Sequence, residues 1–548
     1  MHNKNFFIKT PLIISVAFLF LLLAGCSRVG GRIDFTSDGE PVCGDMIVEA
    51  ASVDATTLIP IVATDSASHS VSGLIYNGLI KYDENLRVVG DLAESWKIED
   101  NGKTIIFKLR KDVLWHDGTP FTARDVKFTY NKLTDPSVHT PYSGDFLKVN
   151  SLEIVDNYVI KVSYKEPFAP ALSSWSMSII PEHILQNEDL NNTEYSRKPI
   201  GTGPYKFKRW KSGQRIDLVA NPYYFDGRPF ISRYIYRIIP DQATMFLELQ
   251  AESADIMNLT SLQYLKQTSN SFFNEHYNKF RYPSFGYTYL AYNLLDERFS
   301  DARVRKALNM AVNKQEIIDG VLMGLGRECT GPFVPESWAY NEEVLPAAFD
   351  PEAAKELLKE AGYSDTDNDK WVDDDGKIFE FTILTSSTND QRRMAAEIIQ
   401  KRLSQIGVKV NIRLVEWSVF LTEFVNKKRF EAVLLGWNLS LDPDCYDIWH
   451  SSKTRPGEFN FISYRNPEID SLLEAGRMTF DQDKRAQIYH KVHKILYDEQ
   501  PYMFLYVPEA LPIVHKRIKG VKPAPVGIGY NFIKWYVPQD QQKYGKLR

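Results

Sequence analysis

With 548 residues, 44% of them hydrophobic and 25% charged, the chain can bury large cores, most naturally in two or more lobes, and is not a disordered sequence. A formal charge of −5 and an isoelectric point near 6.1 leave no basic excess for a nucleic-acid partner, which selects a basic face.

Lys4 and Lys9 precede an uncharged run, Pro11 to Leu23, rich in Leu, Ile, Val and Phe. At about 1.5 Å per residue the run is too short to cross a hydrocarbon core of about 30 Å, so residues 1–25 read as an export leader. The leader ends at Leu23-Ala24-Gly25-Cys26, which resembles the lipobox of bacterial lipoproteins, where the Cys thiol is acylated and becomes the new N-terminus. The alternative is an ordinary signal peptide with an incidental Cys. Acylation of Cys26 by two or more chains implies durable attachment, at about 0.8 kcal/mol per buried methylene, and a folded part on the extracytoplasmic face of the cell membrane. Loss of Lys4 and Lys9 takes the formal charge from −5 to about −7. No later apolar stretch approaches the length of a membrane span. Residues 26–45, with four glycines, read as a flexible tether. Cys43, Cys329 and Cys445 are widely spaced, with no CxxC, and no structural disulfide is expected.

Along the folded part, Trp96 to Arg110 reads as two β-prone stretches around Asn101-Gly102, a hairpin-turn signal. After a second turn at Asp117-Gly118, Thr122 can cap a helix running to Leu133, with Val126, Tyr130 and Leu133 on one side. Mixed strand and turn signals continue to about residue 240, so this half reads as α+β. From about residue 300 the pattern changes. A helix is expected from Asp301 to about Asp319, then a strand from Phe379 to Thr385, then a helix through Ala395, Ile399 and Leu403 that Gly407 can terminate. Val408, Val410, Ile412 and Leu414 alternate as a second strand, a helix from Ser418 to Lys428 follows, and Ala432 to Leu435 forms a third strand. Successive units of this kind predict a parallel, right-handed α/β sheet in a second lobe.

Ligands of open α/β sheets sit beyond the carboxyl ends of the strands. The first strand ends in Ser386, Ser387, Thr388 and Asn389, at a helix N-terminus whose free N–H groups attract anions or carbonyl oxygens. The next ends at Glu416-Trp417, and the third at Gly436-Trp437 followed by Ser440, Asp442 and Asp444. Trp417 and Trp437 at successive strand ends suit the walls of a small-molecule cleft; the other role open to such residues is lobe core.

These residues also carry a family resemblance over essentially the whole mature chain. Leu92-Ala-Glu-Ser-Trp96, Phe107-Lys-Leu-Arg110, Trp115-His-Asp-Gly118, Phe121-Thr-Ala-Arg-Asp-Val126, Gly201-Thr-Gly-Pro-Tyr205, Arg303-Val-Arg-Lys-Ala307 and Gly436-Trp437 with Asp442-Pro-Asp444 are similar to the extracytoplasmic solute-binding proteins of family 5, the oligopeptide, dipeptide and nickel group of ABC importers. The resemblance implies an α/β, two-lobed periplasmic-binding-protein-like fold of the class II type. Lobe I would span 46–285 with an extra α+β subdomain at about 77–195, lobe II 286–505, and the chain would return to lobe I over 506–548. It implies capture of short peptides and delivery to the permease subunits of an ABC transporter, by a monomer with no enzymatic activity, cofactor or metal. Trp417 and Trp437 would line the ligand cleft. One departure concerns Ser440, which stands where peptide binders commonly place an Asp that pairs with the peptide's α-ammonium. A hydroxyl does not neutralise a desolvated ammonium, so Asp442 or Asp444 would have to substitute. Otherwise the solute is longer, blocked at its amine or not a peptide; oligosaccharide and metal-chelate binders also occur in the family.

Weaker signals point elsewhere. Asp365, Asp367 and Asp369 alternate like the start of a calcium loop, but Lys370 and Gly376 stand where such a loop needs Gly and Glu, so a solvated acidic turn is expected. His490 and His493 lie on a helical stretch without HEXXH and read as surface histidines, and His116-Asp117 reads as structural. Two rival classes are a lipid-anchored secreted hydrolase using paired carboxylates and a sensor presenting its ligand to a signalling partner.

Overall fold

The computed structural model describes residues 39–525 and 527–544. The leader and Cys26 lie outside the described residues. Two seven-stranded sheets organise the body. The first orders its strands 277–279, 512–515, 256–258, 44–51, 231–238, 215–220 and 205–211. Gly44 and Asp45, expected within the tether, already belong to strand Gly44–Ala51, and Asp45 is buried beneath Arg517. The second sheet runs 282–283, 502–510, 286–292, 432–438, 380–386 and 409–415, with 326–328 added to strand 502–510.

Strands 380–386, 409–415 and 432–438 are mutually parallel, as their alternation and intervening helices dictate. The rest of that sheet is not parallel. Strand Gly286–Tyr292 pairs antiparallel with both 432–438 and 502–510, so the sheet is mixed. Residues 286–292 and 502–507 are buried without interruption, consistent with their central position, and such continuous burial does not report direction.

A separate four-stranded antiparallel sheet, ordered 93–99, 104–109, 159–164 and 149–156, lies between the strands of the first sheet in sequence. Asn101 and Gly102 turn its first hairpin with positive φ. Helix Ala123–Thr134 packs beside it and opens with a capping box: the Thr122 side chain caps the first turn while Asp125 accepts from the Thr122 N–H. His116 is structural: its backbone N–H donates to the Gly201 carbonyl at 2.9 Å, and its ring bonds Gly201 N at 3.2 Å and Gly203 O at 3.0 Å. A Cβ at Gly201 would stand 1.9 Å from the Ile75 carbonyl oxygen, so glycine is required where that loop crosses the backbone.

The chain passes between the two large sheets twice. Lys279 ends a strand of the first sheet and Gly286 begins one of the second; Ala510 ends the second and Pro512 resumes the first. The return therefore falls at Leu511, beyond the boundary at 506 read from the sequence. The two crossings pair with each other, Tyr282 opposite Ala510 and Pro283 opposite Glu509, and Arg281 Nη2 reaches Glu509 Oε1 at 2.7 Å. Two short extended strands held side by side can bend without tearing either sheet, the property a hinge needs.

Three further expectations are corrected. The single helix from Asp301 is two, Ala302–Met310 and Lys314–Leu322, because the Asn313 side chain accepts from Glu316 N and starts a new cap. The helix after Trp417 is one turn, Trp417–Val419, that widens to π geometry over Phe420–Val425. His493 is not at the surface: it is fully buried on helix Gln482–Glu499, bonded to Thr330 Oγ1 at 3.0 Å and to Asn341 N at 3.1 Å.

Burial pushes the His493 imidazole down to about 4, from an ordinary value of 6.5, and His490 nearby adds to the effect. The unfolded chain therefore binds a proton between these values that the folded protein refuses, and stability from this site falls as pH drops from 6.5 toward 4. The full loss is about 3 kcal/mol at most. Denaturant midpoints across that range should decline less steeply in His493→Gln than in the parent; equal slopes would contradict the assignment.

Candidate ligand-binding site

Between the two lobes lies a cavity of about 1080 Å³, at the upper limit of the range of about 300–1,000 Å³ usual for small-molecule pockets. Its walls come from both lobes. The first contributes Asp65, His69, Tyr142 and Asp145, and the second the strand ends at Ser386, Trp417 and Trp437.

Of the residues singled out from sequence, Ser386, Asn389, Trp417, Gly436, Trp437, Ser440, Asp442 and Asp444 all line this cavity. Ser387 does not: its N–H extends the ladder to Val415 O at 2.8 Å. Trp437 lies within strand Ala432–Asn438, opposite Tyr287, rather than beyond the strand's end. Its ring stacks on Tyr289 at 6.2 Å and takes Phe459 edge-on at 5.2 Å. Trp417 starts the turn capped by Glu416, whose carboxylate accepts from Val419 N. Both tryptophans are partly buried, packed against the lobe core on one side with the cavity on the other. The buried indole N–H of Trp417 has no acceptor among the described residues.

The polar groups of the rim are already engaged. Ser440 Oγ donates to the Asp442 carbonyl at 2.6 Å. Arg485 holds Asp442 through two bonds of 2.7 and 2.8 Å, and Arg477 Nε bonds Asp444 Oδ2 at 2.7 Å. Neither carboxylate is a free substitute for the Asp that Ser440 replaces.

Arg477 also ties the lobes together. Its Nη2 reaches Asp145 Oδ1 in the first lobe at 2.6 Å, and its guanidinium lies 3.8 Å over the Tyr446 ring. Its side chain is 2% exposed. Burial pushes the Asp145 carboxyl up to about 7 against the pull of Arg477, and the carboxylates of Asp444, Asp447 and Asp442 add to the rise. Beside it Lys453 pairs with Asp447 at 3.0 Å and donates to Ser143 Oγ across the gap at 3.2 Å. A Cβ on Gly144 would stand 2.5 Å from Asp447 Oδ1, so the glycine lets the lobes meet.

Sequence reasoning missed Arg392, Asp145 and Arg477. Arg392 also lines the cavity, at the third position of helix Asp390–Ser404, where Asn389 caps its backbone N–H at 2.9 Å. The Asn-x-x-Arg spacing after a strand end was the available signal. Asp145 and Arg477 are 332 positions apart, and no local pattern joins them.

Residues 87–458 match the model of the bacterial extracellular solute-binding proteins, family 5. The chain belongs to this family. It is an extracytoplasmic solute-binding protein and not an enzyme. It is 34% identical to the oligopeptide-binding protein AppA of Bacillus subtilis over 96% of this chain and 97% of that protein. The solved structure of that AppA with a nonapeptide superposes with a TM-score of 0.87, covering 91% of this chain and 100% of the other. DppA of Helicobacter pylori in complex with the peptide STSA gives a TM-score of 0.83 at 27% identity, covering 91% and 99%. NikZ of Campylobacter jejuni in complex with Ni(L-His) gives 0.81 at 30% identity, covering 90% and 99%. These likenesses carry the two-lobed α/β fold read from the sequence.

Proposed function

We propose that this chain captures short peptides outside the cytoplasmic membrane and delivers them to the permease subunits of an ABC importer by closing two lobes around the solute. The observation that carries this reading is the cavity of about 1080 Å³ shared between the lobes, walled by aromatic rings and spanned by an ion pair. Ring faces accept many side chains, while the polar groups fix the invariant backbone. Trp417 and Trp437 supply the faces. Gly436, Ser386, Asn389 and Ser440 present backbone and small polar groups, and Asp442 and Asp444 shape the rim through their arginines.

Closure follows from differential affinity: a solute that touches both lobes favours the closed form by whatever contacts the open form lacks. Moving a population from 1:99 to 99:1 takes about 5.5 kcal/mol of such difference, within reach of two stacked aromatics and several main-chain hydrogen bonds. Peptide complexes of AppA and DppA favour a peptide over the nickel–histidine chelate held by NikZ. A hydrolytic reading is less favoured, because Asp442, Asp444 and Asp145 are each bonded to an arginine rather than set as an acid and base. Titration with a synthetic peptide library should quench Trp417 and Trp437 fluorescence and return every peptide uncleaved by mass spectrometry. Cleavage products, or silence across the library, would overturn the reading.

The protein acts as a monomer held to the membrane by lipid on Cys26. The four-residue match at Leu23 to Cys26, directly behind the apolar run, supports this. No helix among the described residues is long and apolar enough to cross a membrane. Radiolabelled palmitate should enter the parent protein and not Cys26→Ser; equal labelling would refute the anchor.

A further inference from the structure

The two ends of the first sheet carry different chemistry. Strand Gly44–Ala51 begins eighteen residues after Cys26 and runs toward Ser52 and Val53, which line the cleft. Its eight residues, at about 3.3 Å each, set the two ends about 25 Å apart. The end at Gly44 is basic. Although the whole chain carries a formal charge of −5, residues 511–548 hold eight Lys and Arg and a single acid, Asp540.

The topology gathers these groups around Gly44. The Gly44 N–H donates to Phe230 O at 2.8 Å, two residues after the exposed Arg228. The Phe230 N–H reaches Ile533 O at 3.4 Å, which brings the segment carrying Lys534 alongside. Lys519 N–H donates to Tyr536 O at 2.8 Å, and a Cβ on Gly520 would stand 2.8 Å from Lys534 O, so the loop bearing Lys522 lies against the same segment. Lys543 N–H donates to the carboxylate of Asp45, the residue after Gly44, at 3.2 Å.

Most acids at this end are already paired. Asp45 holds Arg517, Glu252 holds Lys543 at 2.7 Å, and Asp226 holds Lys81 at 2.9 Å. Arg228, Lys522 and Lys534 are exposed and pair with no carboxylate among the described residues. Such a cluster raises the local potential and attracts anions.

We propose that this end of the first sheet rests on the anionic phospholipid headgroups of the membrane to which Cys26 is anchored, so that the cleft faces away from the bilayer while the protein awaits solute. The assignment rests on the lipid anchor proposed above. Eighteen residues from Cys26 to Gly44 reach at most about 60 Å, so an acylated Cys26 keeps the patch at high effective concentration against the bilayer. Each basic group near an anionic surface strengthens the contact about fivefold, which gives about 100-fold for Arg228, Lys522 and Lys534 together.

The test is acetylation footprinting, read by mass spectrometry, of the mature acylated protein in two kinds of vesicle. One is phosphatidylcholine alone, the other equal parts phosphatidylcholine and phosphatidylglycerol. Lys522 and Lys534 should react about 10-fold more slowly on the anionic vesicles, and the difference should vanish in about 1 M salt, where the screening length falls to about 3 Å. Lys401, exposed on the second lobe, should react alike on both. Lys543 reports the same contact. Its protection should be lost in the triple variant Arg228→Gln, Lys522→Gln, Lys534→Gln, whose melting curve should match the parent's because the three side chains are exposed. Equal reactivity of the acylated protein on the two vesicles, protection shared by Lys401, or protection of Lys543 that survives in the triple variant would overturn the membrane face while leaving the anchor standing. Equal protection by soluble polyphosphate on neutral vesicles would make the patch a polyanion site and overturn it too. A mature protein whose mass shows no acyl chain would overturn the anchor and this orientation together.

Discussion

One buried guanidinium joins the two lobes of this protein. Arg477 belongs to the second lobe and bonds Asp444 on its own side and Asp145 on the other, with Tyr446 beneath it. Removing a charge from water is expensive, and its partners must return most of that cost through good geometry. Arg477 has both carboxylates at hydrogen-bond distance here; parting of the lobes would carry Asp145 away and leave water in its place. The contact is therefore conditional on closure, while the bond to Asp444 is internal to the second lobe.

The rest of the site is arranged around that condition. The paired crossings at Tyr282–Pro283 and Glu509–Ala510 connect the two mixed sheets, each of which packs on its own core. Acidic groups are in excess at the seam: Asp145, Asp442, Asp444 and Asp447 face Arg477, Arg485 and Lys453. Burial first, and then the neighbouring carboxylates, push the Asp145 carboxyl up, so the clasp on Arg477 is opposed from within the seam. A latch that weak by itself suits a protein that must shut on cargo and open again for a transporter.

Much of this was legible in the sequence and some was not, for identifiable reasons. Alternation in Val408 to Leu414 and the Asn101-Gly102 turn marked the strand and hairpin, because a two-residue period and a positive φ leave local traces. Thr122 marked its helix through a cap that lies within four residues. The split after Met310 was hidden, since Asn313 interrupts an apolar stripe that continues on both sides of it. Sheet direction in strands 286–292 and 502–510 was equally silent, because continuous burial looks alike in parallel and antiparallel neighbours. At the site, Trp417 and Trp437 announced themselves at strand ends. The engagement of Asp442 and Asp444 by Arg485 and Arg477 did not, as those partners lie tens of residues away on other helices. His493 misled for the same reason: its partners Thr330 and Asn341 come from a distant loop.

The most direct test of the conditional clasp is small-angle scattering on the parent and on Arg477→Met, each with and without a peptide selected from the library. The parent should shrink in radius of gyration when the peptide is added, and Arg477→Met, with Asp145 and Asp444 left facing each other, should stay expanded at the same occupancy. Equal compaction of both proteins, or no compaction of the parent, would contradict the account.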